Sequence, residues 1–197
     1  MIILNHFTHL IVNAGAYFSA ALIIRQEEVK VSESLKELRK SEQPFTTSLP
    51  LCLFKPRDHL FAISVELLGK SIINEYEKVK NPNDVPDIKK EYGHKLTKIY
   101  NGARDRLTSL SLKNEADIIN EDVLLSKLTD ILLWASRYHY DGKPEIHIKR
   151  ITYKSGIGID NSAANIVLSN EEIEDSIALF KKYWHLHKSL LEKLYAK

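Results

Sequence analysis

The sequence predicts a mostly α-helical protein: a single-domain bundle of about five helices, with a small β or irregular insert near residues 145–168. Apolar residues recur at helical spacing over long stretches, and prolines and glycines separate these stretches. Only the region after residue 141 alternates as an extended strand does. At 197 residues, with 44% hydrophobic and 27% charged residues, the chain has the composition and size for one sizeable core.

The other elements are predicted to pack around a helix over residues 56–79. Pro56 suits its first helical position, where the missing backbone N–H would have no partner. Glu66 and Lys70 lie one turn apart inside its apolar face, and Gly69 between them allows another helix to approach closely. The apolar face consists of Leu60, Phe61, Ile63, Leu67, Leu68, Ile72, Tyr76 and Val79.

Four more helices follow from the same periodicity. The first covers residues 6–40, as one helix or two in series, and the third covers residues 89–110 or begins only after Gly93. The fourth covers residues 121–139. The last, over about 170–196, begins at a capping box of Ser169 and Glu172, and its seam comprises Ile173, Ile177, Phe180, Trp184, His187, Leu191 and Leu194.

The charge and cysteine content of the chain restrict the cellular location and the partners that we expect for the protein. Residues 1–24 contain no Asp, Glu, Lys or Arg, but polar residues interrupt them and no basic residue precedes the apolar part. We therefore expect a buried amphipathic helix and no membrane contact; a membrane anchor or export signal is the alternative. The net charge of +2 does not require a polyanionic partner, and the single Cys52 excludes an intramolecular disulfide. We expect a cytoplasmic protein.

Metal and cofactor sites are not predicted. His6 and His9 share a helix face, whereas His185 and His187 do not, and neither pair has a carboxylate or cysteine companion. We expect no bound metal and no cofactor.

Several polar residues are candidates for ligand binding. Glu66 and Lys70 either line a pocket or form an ordinary ion pair. His94 follows a glycine at a helix start, where it either contacts an anion or transfers a proton, or hydrogen-bonds the neighbouring backbone and holds the third helix in place.

The most promising cluster ends the fourth helix. Arg137 suits phosphate through its planar fork of donors, and His139 and Asp141 lie beside it in the chain. Arg and His are also simply favourable at a helix C-terminus. Lys149 and Arg150 belong to a basic stretch that follows.

A second basic group lies on or near the third helix. It comprises Lys89, Lys90, Lys95, Lys98, Arg104 and Arg106. Together with the stretch after Arg137, it forms either a phosphate-binding face or a solvated surface of mixed charge.

Residues 56–144 resemble HEPN-type domains, which are helical bundles of prokaryotic defence, toxin–antitoxin and nucleotide-transfer systems. The resemblance rests on a Glu-Leu-x-x-Lys helix, a Gly-His-x-Leu segment and a later helix that ends near an Arg-Tyr turn. The matching residues are Glu66, Leu67 and Lys70, then Gly93, His94 and Leu96, then Arg137 and Tyr138.

The chain departs from the nuclease members of that family, in which an Arg is followed by a His after four to six residues. Here His139 follows Arg137 too soon and His147 too late. The resemblance therefore implies a non-catalytic module that binds RNA, a nucleotide or a protein partner. We also expect a homo-oligomer. The alternatives are a metal-independent ribonuclease that uses Arg137 and His139 across a dimer, and a structural oligomerisation module.

Overall fold

A computed structural model describes residues 8–40, 54–112, 118–138 and 168–196. These residues form helices and no strand, so the predicted mostly α-helical bundle is confirmed. The predicted insert lies outside the described residues except for Leu168, which precedes the last helix. The helices are α1 (Thr8–Lys40), α2 (Phe54–Lys80), α3 (Ile88–Tyr92), α4 (Leu96–Ser109), α5 (Ile118–Tyr138) and α6 (Asn170–Tyr195).

The central position predicted for the second helix is confirmed, because α2 packs against each of the other described helices. Pairs of contacting residues show that α2, α4 and α6 run in one direction. The same comparison shows that α1 and α5 run in the opposite direction. The residues after Thr129 in α5 therefore extend toward the end of the bundle where α2 and α6 begin.

One predicted boundary was wrong, and one of the two starts predicted for the third helix is confirmed, since α4 begins after Gly93. The helix α2 begins at Phe54, so Pro56 is its third residue rather than its first. Proline is accepted there because the first four N–H groups of a helix have no intrahelical partner. The longer alternative is divided into two helices, because Gly93, with φ 57°, adopts a left-handed conformation between α3 and α4.

The last helix begins at its predicted cap. The Ser169 hydroxyl accepts from the N–H of Glu172, and the Glu172 carboxylate accepts from the N–H of Ser169. Ile173, Phe180 and His187 of the predicted seam are buried as expected. At three other positions of the seam, Ser176, Tyr183 and Leu190 are buried in place of Ile177, Trp184 and Leu191. The hydroxyl of Tyr183 enters a hydrogen-bond network at that face.

The core is continuous from α1 to α6. Phe18 of α1 stacks on Phe180 with ring centroids 4.0 Å apart, and meets Phe61 edge-on at 5.9 Å. Among the described residues, no helix is long and apolar enough to cross a membrane.

Gly69 is where α4 approaches α2 most tightly, as the sequence predicted. A Cβ atom on Gly69 would lie 2.7 Å from Ile99 Cγ2 and 2.8 Å from Tyr100 Cε2. We expect Gly69→Ala to lower the free energy of unfolding by about 1–2 kcal/mol, because overpacking outweighs the gain in helix propensity. Urea denaturation measures this.

Gly15→Ala is the matched control for that change. Its Cβ would lie 3.3 Å from the ring of Trp184, a side chain that is 37% exposed and can move. Equal destabilisation by the two substitutions would show that the α2–α4 contact is not unusually tight.

Candidate functional site

Three predicted candidate residues come together between α2 and the turn before α4. Glu66 Oε1 lies 3.0 Å from Nδ1 of His94 and 2.5 Å from Nζ of Lys70. Glu66 and Lys70 belong to α2, whereas His94 is 28 residues from Glu66 in the chain. This group of three is called the Glu66 cluster.

Burial differs sharply within the Glu66 cluster. The Glu66 side chain is 7% exposed and that of Lys70 11%, but that of His94 is 52% exposed. Since an ionised carboxylate only accepts hydrogen bonds, Nδ1 of His94 is the donor. In the neutral imidazole with its proton on Nδ1, the second ring nitrogen, Nε2, carries the lone pair. Nε2 has no partner among the described residues. A histidine in this state can accept a proton or a hydrogen bond from a ligand.

The turn that carries His94 is held from two sides. The N–H of Leu96 donates to Thr129 Oγ1 of α5 at 3.0 Å, and Tyr92 is buried against the core. The N-cap of α4 is Lys95, which has no side-chain capping bond. His94 thus holds α4 through the side chain of Glu66, not through the neighbouring backbone as one interpretation of the sequence proposed.

Exposed lysines flank this turn in the sequence. Lys89, Lys90 and Lys95 are exposed, and we name these residues with His94 the α3–α4 corner. Beside it, Nζ of Lys98 donates to the carbonyl of Glu91 at 2.5 Å. The corner therefore combines several lysine ammonium groups with the imidazole of His94, whose orientation is set by Glu66.

Arg104 does not belong to this basic surface, which corrects the grouping proposed from the sequence. Its side chain is 4% exposed and donates to Asp122 at 2.7 Å, to Glu121 at 3.0 Å and to the Tyr183 hydroxyl at 3.1 Å. Burial opposes the charged form, but the hydrogen bonds with Tyr183 and the two carboxylates outweigh it and raise the pKa of Arg104. Arg104 is a structural residue.

Arg106 is likewise held within the protein. Its Nε donates to Glu77 Oε1 at 2.7 Å, and its second terminal nitrogen lies 2.6 Å from the same oxygen. Of the six basic residues grouped from the sequence on or near the third helix, the two arginines are thus committed to carboxylates, whereas three lysines, Lys89, Lys90 and Lys95, line the corner.

Arg137 lies in the last turn of α5, which the structure describes for its backbone. His139, Asp141, Lys149 and Arg150 lie outside the described residues. Because α5 runs antiparallel to α4, its last turn lies beyond Thr129 at the end of the bundle where α2 and α6 begin.

A buried charge cluster at that end of the bundle was missed. Arg57 donates to Glu28 of α1 and to Asp58 Oδ1 at 2.8 Å, and Asp58 Oδ2 accepts from the N–H of Leu168 at 2.8 Å. Burial raises the pKa of Asp58, although the Leu168 N–H and Arg57 oppose this. An adjacent Arg-Asp pair at the start of a helix with a wide apolar face was the available signal. The cluster joins α1, α2 and α6.

The histidine predicted in the seam of the last helix is buried. Nε2 of His187 lies 3.0 Å from the hydroxyl of Ser71, and burial lowers the pKa of His187 to about 4. Among the described residues, no three His, Cys, Asp or Glu side chains are grouped to hold a metal ion.

Comparison of the chain with protein-family models, with curated proteins and with solved structures found no match.

Proposed function

We propose that this protein is a binding module for RNA or a nucleotide, which it contacts through the α3–α4 corner. One observation carries the proposal: exposed lysines precede and follow, in the chain, a histidine that contacts a buried carboxylate. Lysines supply the charge that phosphate groups need, and His94 supplies a directed hydrogen-bonding group.

The three lysines of the corner outnumber its two exposed acidic residues, Asp87 and Glu91. The carboxylate of Asp87 accepts from the N–H of Lys90 at 3.1 Å and thus caps α3. Glu66 is covered by Lys70 and His94. Lys90 and Lys95 are both exposed.

Arg137, His139, Asp141, Lys149 and Arg150, the other candidates from the sequence, are proposed as further contacts to the same ligand. The resemblance to HEPN-type domains points to the same ligand class, and to a protein of a defence or toxin–antitoxin system.

Salt dependence tests the lysines. We expect Lys89→Ala/Lys90→Ala/Lys95→Ala to weaken binding of single-stranded RNA and to reduce the slope of log K against log salt by about 2, since each phosphate contact contributes about 0.7. Electrophoretic retardation or fluorescence anisotropy at several salt concentrations measures this. Lys149→Ala/Arg150→Ala is expected to act in the same direction.

The matched control removes three other exposed lysines, Lys80, Lys181 and Lys188, and so changes the net charge equally. An equal loss of affinity in the control would show that overall charge explains the effect. It would contradict the corner as the binding surface. Wild-type protein that does not bind RNA or nucleotide would overturn the proposal.

A second candidate is a metal-independent ribonuclease, and the Glu66–His94 contact favours it. A carboxylate that holds one ring nitrogen of a histidine leaves the other ready to take a proton from a substrate hydroxyl. Labelled RNA in EDTA, read for retardation and for cleavage, separates the two candidates. Cleavage lost in His94→Asn, or in Arg137→Ala/His139→Ala, would favour the enzyme; retardation without cleavage would favour the binding module.

A further inference from the structure

The outward face of α1 carries an uncharged stripe, apolar except for one serine, that the described bundle does not cover. Val12, Ala16, Ser19 and Ile23 follow one another at intervals of four, three and four residues, the spacing of a coiled-coil seam. All four are exposed, Val12 at 55% and Ile23 at 61%. We name these four residues the α1 stripe.

The opposite face of α1 already serves the core. Ala14, Phe18 and Ala21 are buried against the bundle. The α1 stripe therefore points away from the other described helices, and a contact there does not compete with the fold.

The order of side-chain sizes in the stripe is the same in both directions. Read forward or backward, it runs large, small, small, large. If a two-fold axis passes between Ala16 and Ser19, Val12 of one copy meets Ile23 of the other, and Ala16 meets Ser19. Small residues at the centre let the helix backbones approach closely, and each contact occurs twice, as an isologous interface requires.

Charge selects the antiparallel arrangement. The stripe lies in a stretch without charged residues, since the first 24 residues contain no Asp, Glu, Lys or Arg. Farther along the same outward face, Lys30 and Glu33 are exposed. Parallel pairing would place Lys30 opposite Lys30 and Glu33 opposite Glu33, which is unfavourable, whereas antiparallel pairing carries both beyond the apolar contact.

We propose that two copies of this chain associate antiparallel through the α1 stripe. The occupant of the stripe is a second copy, because the order of large and small side chains fits the same order read in reverse. In addition, the partner needs no charged group to match the stripe. This interface does not involve the α3–α4 corner, so its test is independent of the proposed ligand.

Sedimentation equilibrium over about a hundred-fold range of protein concentration tests the association. Wild type is expected to form dimers, and Ile23→Glu is expected to raise the dimer dissociation constant at least about thirty-fold, because it brings an unpaired charge into an apolar contact. Val123→Glu is the matched control, since Val123 is also exposed, at 71%, but lies on α5. Circular dichroism of each variant verifies that the helices are intact.

A distance measurement tests the orientation. With Cys52→Ser and a spin label at Glu33→Cys, the antiparallel dimer places the two labels about 45 Å apart along the helices, whereas a parallel dimer places them within about 10 Å. A monomeric wild type, an Ile23→Glu variant that still forms dimers, equal dissociation by Val123→Glu or a short label distance would each overturn the proposal.

Discussion

Replacing Arg104 with methionine is expected to lower the free energy of unfolding by about 3 kcal/mol. The guanidinium is 4% exposed and joins α4 to the first turn of α5 and to Tyr183 of α6. Methionine fills similar space but donates no hydrogen bond. The carboxylate of Glu121, whose side chain is 11% exposed, therefore loses its ion pair with Arg104. At about 2–4 °C per kcal/mol for a chain of this size, the melting temperature should fall by about 6–12 °C.

Arg106→Met is the control for that experiment, because it makes the same chemical change two residues along α4. The Arg106 side chain is 20% exposed and bonds mainly to Glu77, so we expect a loss of about 1 kcal/mol. Chemical denaturation of both variants at one pH measures the difference. If Arg104→Met were no worse than Arg106→Met, the buried network would not contribute as its geometry indicates.

Acid is expected to destabilise the protein through His187, by up to about 3 kcal/mol. The residue is 3% exposed, and burial lowers its pKa to about 4 from the ordinary 6.5. Below pH 6.5 the unfolded chain takes up the proton that the folded protein refuses. The stabilisation is therefore complete above pH 6.5 and is lost as the pH falls from 6.5 to about 4.

The measurement is the difference in unfolding free energy between wild type and His187→Gln at several pH values. Glutamine keeps a polar group for Ser71 but does not titrate. As the pH falls from 7 to 4, wild type should therefore lose about 3 kcal/mol of unfolding free energy relative to His187→Gln. Other titrating groups, such as the buried Asp58, cancel in this difference. His185→Gln changes an exposed histidine and should leave the pH dependence unchanged. A pH-independent difference for His187→Gln would contradict the burial of a neutral imidazole.

The helices were largely predictable because their signals are local. The position of Ser169 and Glu172 identified the start of α6, and apolar periodicity identified α2 as the helix with the widest buried face. The error at the start of α2 was also local, because proline is tolerated anywhere in a first turn. The positive φ of Gly93 selects the later of the two starts predicted for the third helix.

The Glu66 cluster was only half predictable. The spacing of Glu66 and Lys70 already indicated that they touch. The contact between Glu66 and His94 joins residues 28 positions apart, and it depends on the path of α3 back across α2. Periodicity carries no information about that path.

Arg104 shows where a signal existed but was not used. It lies four residues after Tyr100 and three before Leu107, so it shares the buried face of α4 with them. An arginine on such a face needs carboxylate partners. Its actual partners, Glu121 and Asp122, lie near the start of α5, after the connection that follows α4. Composition alone does not distinguish Arg104 from the exposed Lys95.

The sequence by itself determined that the chain forms a helical bundle, which helix lies at its centre and how the last helix begins, because each depends on residues within one or two turns of one another. The tertiary structure decided which charged side chains pair with one another and which remain available to a ligand. The pairs of Arg57 with Glu28 and of His94 with Glu66 are examples. Those pairings depend on the angles and register at which helices pack, and these emerge only when the whole core is assembled.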